Sequence, residues 1–276
     1  MKMLSMKILT IITVLGITFS ACAQDKTSAL KSTSTDTSLA VNAEGAQDVT
    51  VVNTEAEGFE KTVQPKKVSI LGDSYSTFKG WVPEKNIAWY MPVPKEGRPT
   101  DVTEVDQTWW KIFIDKNGYQ LEKNNSYSGS TICNTGYGRK DYTDQSFVTR
   151  LTDIGNPDLI FVFGGTNDSF ADSPLGEYIW KDWTKKELFQ YRPATAYMLS
   201  ELKRLHPNAE IWFIIGDDMK PQYAESSRLI CEHYNVPVLE LKDIQKMSIH
   251  PDQKGMLQIV DQLEQALGLS PQAAKG

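Results

Sequence analysis

The sequence predicts an α/β fold, a three-layer α/β/α sandwich around a central parallel sheet of five strands. From Pro65 onward, short apolar runs typical of strands alternate with longer stretches typical of helices, which indicates successive βαβ units. Two of the runs, Leu159–Phe163 and Ile211–Ile215, are apolar at every position. Runs of this kind are typical of strands that are buried on both faces, as the strands of parallel sheets are.

Each strand is predicted where an apolar run is bounded by turn-forming residues. The first run ends at Gly72-Asp73-Ser74 and the third ends at Gly164-Gly165, and glycine, aspartate and serine favour turns. The predicted strands are Val68–Leu71, Gln120–Tyr127, Leu159–Gly164, Glu210–Gly216 and Pro237–Leu241.

The predicted helices lie between and after these strands. The first of them carries Trp109, Trp110 and Phe113, which supply an apolar face that can pack on the sheet. A proline inside the third predicted helix indicates an interruption. The predicted helices are Thr108–Lys116, Ser146–Asp153, Glu187–Leu205 with its interruption at Pro193, Gln222–Tyr234 and Pro251–Leu267.

Residues 1–22 are predicted to be a secretory signal peptide, because Lys2 and Lys7 precede the apolar segment Ile8–Phe19. That segment is too short for a transmembrane helix. Phe19-Ser20-Ala21-Cys22 resembles a bacterial lipobox, which implies that acyl chains on Cys22 anchor the exported protein to a membrane of the cell envelope. The alternative is an ordinary secreted protein.

Residues 23–64 are predicted to be a flexible linker, and residues 65–276 the folded domain. The linker is rich in Ser, Thr, Ala, Asp and Glu and has few large apolar residues. Such a segment buries too little surface to offset the entropy lost on ordering.

Composition narrows the classes of partner and cofactor. A net charge of -6 at pH 7 argues against nucleic acid or an anionic membrane surface as the main partner. Three cysteines do not make a disulfide framework, and Cys133 and Cys231 are expected to be free and buried. The sequence has no metal-ligand cluster, phosphate-binding loop or nucleotide-binding motif, so neither a metal nor a cofactor is predicted.

The first predicted strand leads directly into Gly72-Asp73-Ser74. Ligands of open α/β sheets bind at the carboxyl ends of the strands, so Ser74 is a candidate nucleophile. The alternative is a serine that caps the next helix.

Three other loops place polar residues or glycine in comparable positions. Gly129 follows the second predicted strand, Asn167 the third, and His250 the last. Loops after parallel strands emerge at one edge of the sheet, so these residues can converge on Ser74. Taken singly, Asn167 could cap a turn and His250 could begin a helix.

Taken together, Ser74, Gly129, Asn167 and His250 resemble, in type and in order, the residues that name the SGNH hydrolases of the GDSL esterase/lipase superfamily. The resemblance covers Lys67–Leu267. It implies the flavodoxin-like SGNH hydrolase fold and serine ester hydrolysis without a cofactor. Ser74 would be the nucleophile and His250 the base. The backbone N–H groups of Ser74 and Gly129 and the Asn167 side chain would form the oxyanion hole.

Met247 departs from the family pattern, which has an aspartate three residues before the histidine to hold the imidazole tautomer. Asp243, just after the last predicted strand, is the candidate replacement. Alternatively, a backbone carbonyl or Ser248 orients His250, and a Ser–His dyad operates.

A long insertion between Ser76 and Thr108 suggests a substrate-binding loop. The aromatic residues that could stack on a sugar are Trp81, Trp89, Tyr90 and Tyr137; the alternative is that each anchors its loop to the core. The expected activity is removal of O-acetyl or other short acyl groups from carbohydrate. The alternatives are a lipase or thioesterase for longer acyl chains and a catalytically degenerate glycan-binding lipoprotein.

Overall fold

The computed structural model describes residues 64–269. The predicted signal peptide, the predicted lipidation site Cys22 and nearly all of the predicted linker lie outside these residues. Five strands form the central parallel sheet, in the order β2-β1-β3-β4-β5, which is the flavodoxin-like order. The five strands are β1 (Lys67–Gly72), β2 (Gln120–Asn124), β3 (Leu159–Phe163), β4 (Glu210–Ile215) and β5 (Val238–Glu240).

Helices cover both faces of the sheet, as predicted. They are α1 (Trp109–Lys116), α2 (Phe147–Arg150), α3 (Thr166–Phe170), α4 (Tyr191–Leu205), α5 (Pro221–His233) and α6 (Gln253–Ala266). Alternate residues of β3 separate two apolar cores: Ile160 packs with residues of α2, α4 and α5, whereas Phe161 packs with residues of α1 and α6. The predicted three-layer sandwich is therefore confirmed. None of the helices between residues 64 and 269 is long and apolar enough to cross a membrane.

The second strand and the fourth helix differ from their predicted bounds. β2 ends at Asn124 rather than Tyr127, although the N–H groups of Asn125 and Tyr127 still bond carbonyls of β1, those of Ile70 at 2.8 Å and Gly72 at 3.1 Å. The predicted interruption at Pro193 is wrong. Pro193 lies in the first turn of α4, where a backbone N–H has no intrahelical partner to lose.

The last predicted helix also begins later than expected. It starts at Gln253, and Asp252 caps it through a hydrogen bond from the Gly255 N–H at 2.8 Å. His250 and Pro251 instead form strand β7, which pairs antiparallel with β6 (Lys246–Met247). Strands of two residues are too short to show an alternating pattern, so this hairpin could not be read from the sequence.

Candidate active site

Ser74 lies at the carboxyl end of β1, in a short 3₁₀ turn (Ser74–Ser76). The Asp73 carboxylate caps this turn by accepting a hydrogen bond from the Tyr75 N–H at 3.0 Å. Gly72 is required before the turn, because a Cβ there would lie 2.6 Å from the Ser126 hydroxyl oxygen. The strand end and the cap thus hold the nucleophile at the edge of the sheet where ligands bind.

Ser74 and His250 are brought together as predicted: Ser74 Oγ lies 2.9 Å from His250 Nε2. Aromatic rings surround the imidazole. The Trp89 ring stacks on it with centroids 3.5 Å apart and planes 9° apart, and the Tyr75 ring meets it edge-on at 5.3 Å. The Tyr75 hydroxyl lies 2.7 Å from both the Asp218 carboxylate and the Ile249 carbonyl oxygen and donates its one proton to one of them at a time. Packing and the contact with Ile249 hold the imidazole beside the serine.

The predicted triad with Asp243 is not formed. Asp243 is exposed, in a left-handed turn residue with φ 54° just after β5. His250 Nδ1 is buried, and no residue between 64 and 269 hydrogen bonds to it, so neither a backbone carbonyl nor Ser248 takes the place of a carboxylate. The described residues therefore form a Ser74–His250 dyad whose imidazole is positioned by aromatic packing.

The surroundings of His250 keep it uncharged. Burial lowers the pKa of His250 to about 3, and the nearby cations Arg98 and Lys246 act in the same direction. A neutral imidazole can accept the Ser74 proton at neutral pH. The described residues supply no anion bonded to Nδ1 to stabilise the imidazolium that forms next.

Asn167 lies in the first turn of α3, close to the nucleophile turn. Its side-chain oxygen accepts a hydrogen bond from the Tyr137 hydroxyl at 2.7 Å. Its Nδ2 donates a longer bond, 3.3 Å, to the Asp73 carboxylate. An amide group has two N–H donors. Tyr137 and Asp73 therefore fix the amide orientation and leave one N–H for an oxyanion.

The predicted backbone donors are the N–H groups of Ser74 and Gly129. Neither donates a hydrogen bond to another residue in the described part of the chain. Gly129 has φ 82°, a conformation that favours glycine. Both amides are thus available to an ester oxygen.

Two buried ionisable groups hold the loop that carries Gly129. The Arg150 guanidinium donates to the Gly72 carbonyl at 3.1 Å and to Ser130 Oγ at 2.9 Å. The Asp168 carboxylate accepts from the Ile132 N–H at 2.7 Å. Burial raises the pKa of Asp168 to about 7 and lowers the pKa of Arg150 to about 9. No sequence signal marked Arg150, because its partners are mostly backbone atoms of other loops.

The four predicted substrate aromatics have different roles. Trp81 is 42% exposed and Tyr137 is 37% exposed, so each ring has surface that a substrate can contact. Tyr90 is fully buried, and its hydroxyl donates to the Pro251 carbonyl at 2.8 Å. Its predicted contact with substrate is therefore wrong. Trp89 stacks on His250, so the imidazole covers one face of its ring.

Within residues 64–269 there is no group of three or more His, Cys, Asp or Glu residues that could hold a metal ion. Cys133 and Cys231 are both buried and free, as expected. Burial raises the pKa of both thiols, which keeps them protonated and unreactive.

The family model of the GDSL-like lipase/acylhydrolases matches residues 66–267. The chain belongs to this family. Two solved GDSL-like lipases are similar to it along their length. The protein from Bacteroides ovatus is 50% identical, over 75% of this chain and 100% of that chain, with a TM-score of 0.73. The protein from Bacteroides uniformis is 49% identical, over 74% and 96%, with a TM-score of 0.72.

A carbohydrate esterase shares the fold at 15% identity, over 76% of this chain and 71% of that chain, with a TM-score of 0.54. No curated protein matches the sequence. The family and the two GDSL-like lipases identify this GDSL-like protein as a hydrolase of the esterase type.

Proposed function

We propose that this esterase removes O-acetyl or other short acyl groups from carbohydrate. The enclosure of the reacting groups carries the proposal: Ser74 and His250 are each 5% exposed and Asn167 is 7% exposed. Only small parts of these three side chains are therefore open to an ester carbonyl. A small acyl group suits such a centre better than a long chain.

In this mechanism Ser74 Oγ attacks the ester carbonyl carbon, and His250 Nε2 takes the hydroxyl proton. The N–H groups of Ser74, Gly129 and Asn167 stabilise the oxyanion. The C–O bond to the alcohol then breaks, and the alcohol leaves with the proton from His250. A water molecule attacks the acyl-enzyme with the same base, which releases the carboxylic acid and restores Ser74.

Carbohydrate is proposed as the alcohol because of the exposed aromatic residues of this chain. Tyr137 lies beside the oxyanion donor Asn167, and Trp81 lies on the insertion with part of its ring exposed. Aromatic faces can pack against the C–H faces of sugars. The carbohydrate esterase mentioned above is consistent with this choice, although that likeness concerns the fold alone.

We also propose that the protein is exported and anchored through a lipid on Cys22. The proposal rests on the apolar N-terminal segment and the lipobox-like sequence that precedes Cys22. Membrane fractions of cells producing the wild type should contain the protein, and the Cys22→Ser variant should lose its lipid. Equal lipid content by mass spectrometry in both proteins would contradict the anchor.

Ester preference tests the proposed activity. The wild type should release acetate from a chemically acetylated oligosaccharide, and Ser74→Ala should not. In a series of p-nitrophenyl esters from acetyl to dodecanoyl, kcat/KM should fall as the acyl chain lengthens. Activity on the long-chain esters alone would identify a lipase or thioesterase. Binding of the glycan without turnover by the wild type would identify a degenerate binding protein.

A further inference from the structure

The insertion between Ser76 and Thr108 surrounds a large open hollow. This insertion hollow has a volume of about 840 Å³ and is lined within residues 79–95. Its lining is mainly apolar and includes Val82, Pro83, Ile87, Met91 and Val93. The volume falls in the range of small-molecule sites, about 300–1,000 Å³.

Hydrogen bonds join one wall of the hollow to the oxyanion loop. The Ile87 carbonyl accepts from the N–H of Ser128, the neighbour of Gly129, at 2.8 Å. The Asn86 side-chain amide donates to the Ser126 carbonyl at 3.0 Å. Ile87 is also 47% exposed. The same short segment that forms this wall therefore also supports the loop that offers an N–H to the substrate.

A second contact joins the hollow to the catalytic base. Trp89 follows the lining residue Ala88 and stacks on His250 at 3.5 Å. The insertion thus touches both sides of the reacting centre, the base through Trp89 and the oxyanion loop through Ile87.

The two parts of an ester differ in the space that they need here. The catalytic groups are almost fully enclosed, whereas the hollow is open and its residue Val93 is 78% exposed. The short acyl group of the proposed substrate belongs at the enclosed centre. The larger alcohol part needs open volume, which the hollow offers.

The lining suits an oligosaccharide. Its apolar residues can contact the C–H faces of sugar rings, and its charged residues Lys79, Glu84 and Lys95 offer hydrogen-bonding groups to hydroxyls. Trp81, which lies between the lining residues Gly80 and Val82, keeps part of its ring exposed.

We propose that the insertion hollow is a subsite for the alcohol part of the substrate and that this part is an oligosaccharide. This assignment rests on the proposed removal of short acyl groups from carbohydrate. It makes Val82 and Val93 specificity-determining residues: they contact sugar units of the substrate but not its acyl group.

The test compares a large and a small alcohol that carry the same acetyl group. The double variant Val82→Ser, Val93→Ser changes one partly buried and one exposed side chain of the lining and should fold normally. It leaves unchanged Ile87, whose carbonyl bonds the oxyanion loop. Its kcat/KM on an acetylated oligosaccharide should fall about tenfold, the size expected for lost apolar contacts. On p-nitrophenyl acetate its kcat/KM should stay within about twofold. Leu257→Ser is the matched control, since Leu257 is 52% exposed on α6 and does not line the hollow.

The outcomes separate the two proposals. If the wild type hydrolyses p-nitrophenyl acetate but releases no acetate from oligosaccharides, the proposed function fails, and the subsite fails with it. If the wild type deacetylates oligosaccharides and the double variant is equally active on them, only the subsite assignment is overturned. It is likewise overturned if the double variant loses activity selectively on long-chain p-nitrophenyl esters, because the hollow would then hold the acyl chain.

Discussion

Replacing Met247 by aspartate should supply the carboxylate that the dyad does not have. Met247 and His250 are directly opposed in the β6–β7 pair, and opposed residues of antiparallel strands have Cβ atoms about 4.5–5.5 Å apart. His250 Nδ1 is buried without an acceptor among the described residues. A carboxylate in the Met247→Asp variant can therefore approach the imidazole closely enough to favour its protonated form.

The size of the effect follows from this separation. Opposite charges about 5 Å apart attract by about 3 kcal/mol at an effective dielectric constant of about 20, which equals about 2 pKa units. Met247 is 37% exposed, so water screens part of the attraction and about 1 to 2 units remain. The pKa of His250 should rise from about 3 to about 4 or 5. The same attraction stabilises the imidazolium of the transition state, so kcat should rise about tenfold at neutral pH.

The dependence of kcat/KM on pH measures this shift, because its acid limb reports the pKa of the base in the free enzyme. Acetate release from a simple acetyl ester would be followed between about pH 3 and pH 8. Met247→Asn is the matched control, since it has nearly the same shape and no charge. If both variants are folded by circular dichroism and share the wild-type rate and acid limb, the account of the imidazole is wrong.

Three further predictions concern the residues that hold the site. Trp89→Ala should lower kcat about two- to tenfold, because an aromatic stack contributes about 0.5–1.5 kcal/mol, whereas Trp89→Phe should retain most activity on the same acetyl ester. Arg150→Met should lower the free energy of unfolding in urea by about 3 kcal/mol or more, since it leaves several buried acceptors without a donor. A loss below about 1 kcal/mol would contradict the role of Arg150 in holding the loop that carries Gly129. Because burial raises the pKa of Asp168, the folded state binds the proton of this carboxyl more tightly than the unfolded state does. The stability that Asp168 contributes is therefore fully present below about pH 4 and is lost as pH rises through about 7. Thermal unfolding at pH values across that window should therefore show a smaller decrease in Tm with rising pH for Asp168→Asn than for the wild type.

The sheet and its catalytic edge were predictable because their physical causes are local. The apolar run Leu159–Phe163 indicates a strand buried on both faces, and β3 lies between β1 and β4 with every residue buried. The ends of parallel strands share one edge. Ser74 directly follows β1 at this edge, and His250, on the hairpin after β5, meets it although 176 positions separate them.

Side-chain partners across loops could not be predicted in the same way. Tyr90 is fully buried, but nothing in the aperiodic sequence around it distinguishes an anchoring ring from an exposed one. Asp243 is a candidate because the chemistry calls for a carboxylate, whereas its position depends on how the chain turns after β5. Arg150 joins its loops through carbonyl groups, which every residue has, so its type and spacing give no signal.

Labelling with a fluorophosphonate tests the Ser74–His250 dyad most directly, because this reagent forms a covalent bond with a serine that a neighbouring base activates. The account predicts one phosphonyl group per chain, located on Ser74 by peptide mass spectrometry. Labelling should be absent in Ser74→Ala and much slower in His250→Ala. A label on another residue, or equal labelling rates in the wild type and His250→Ala, would contradict the central claim.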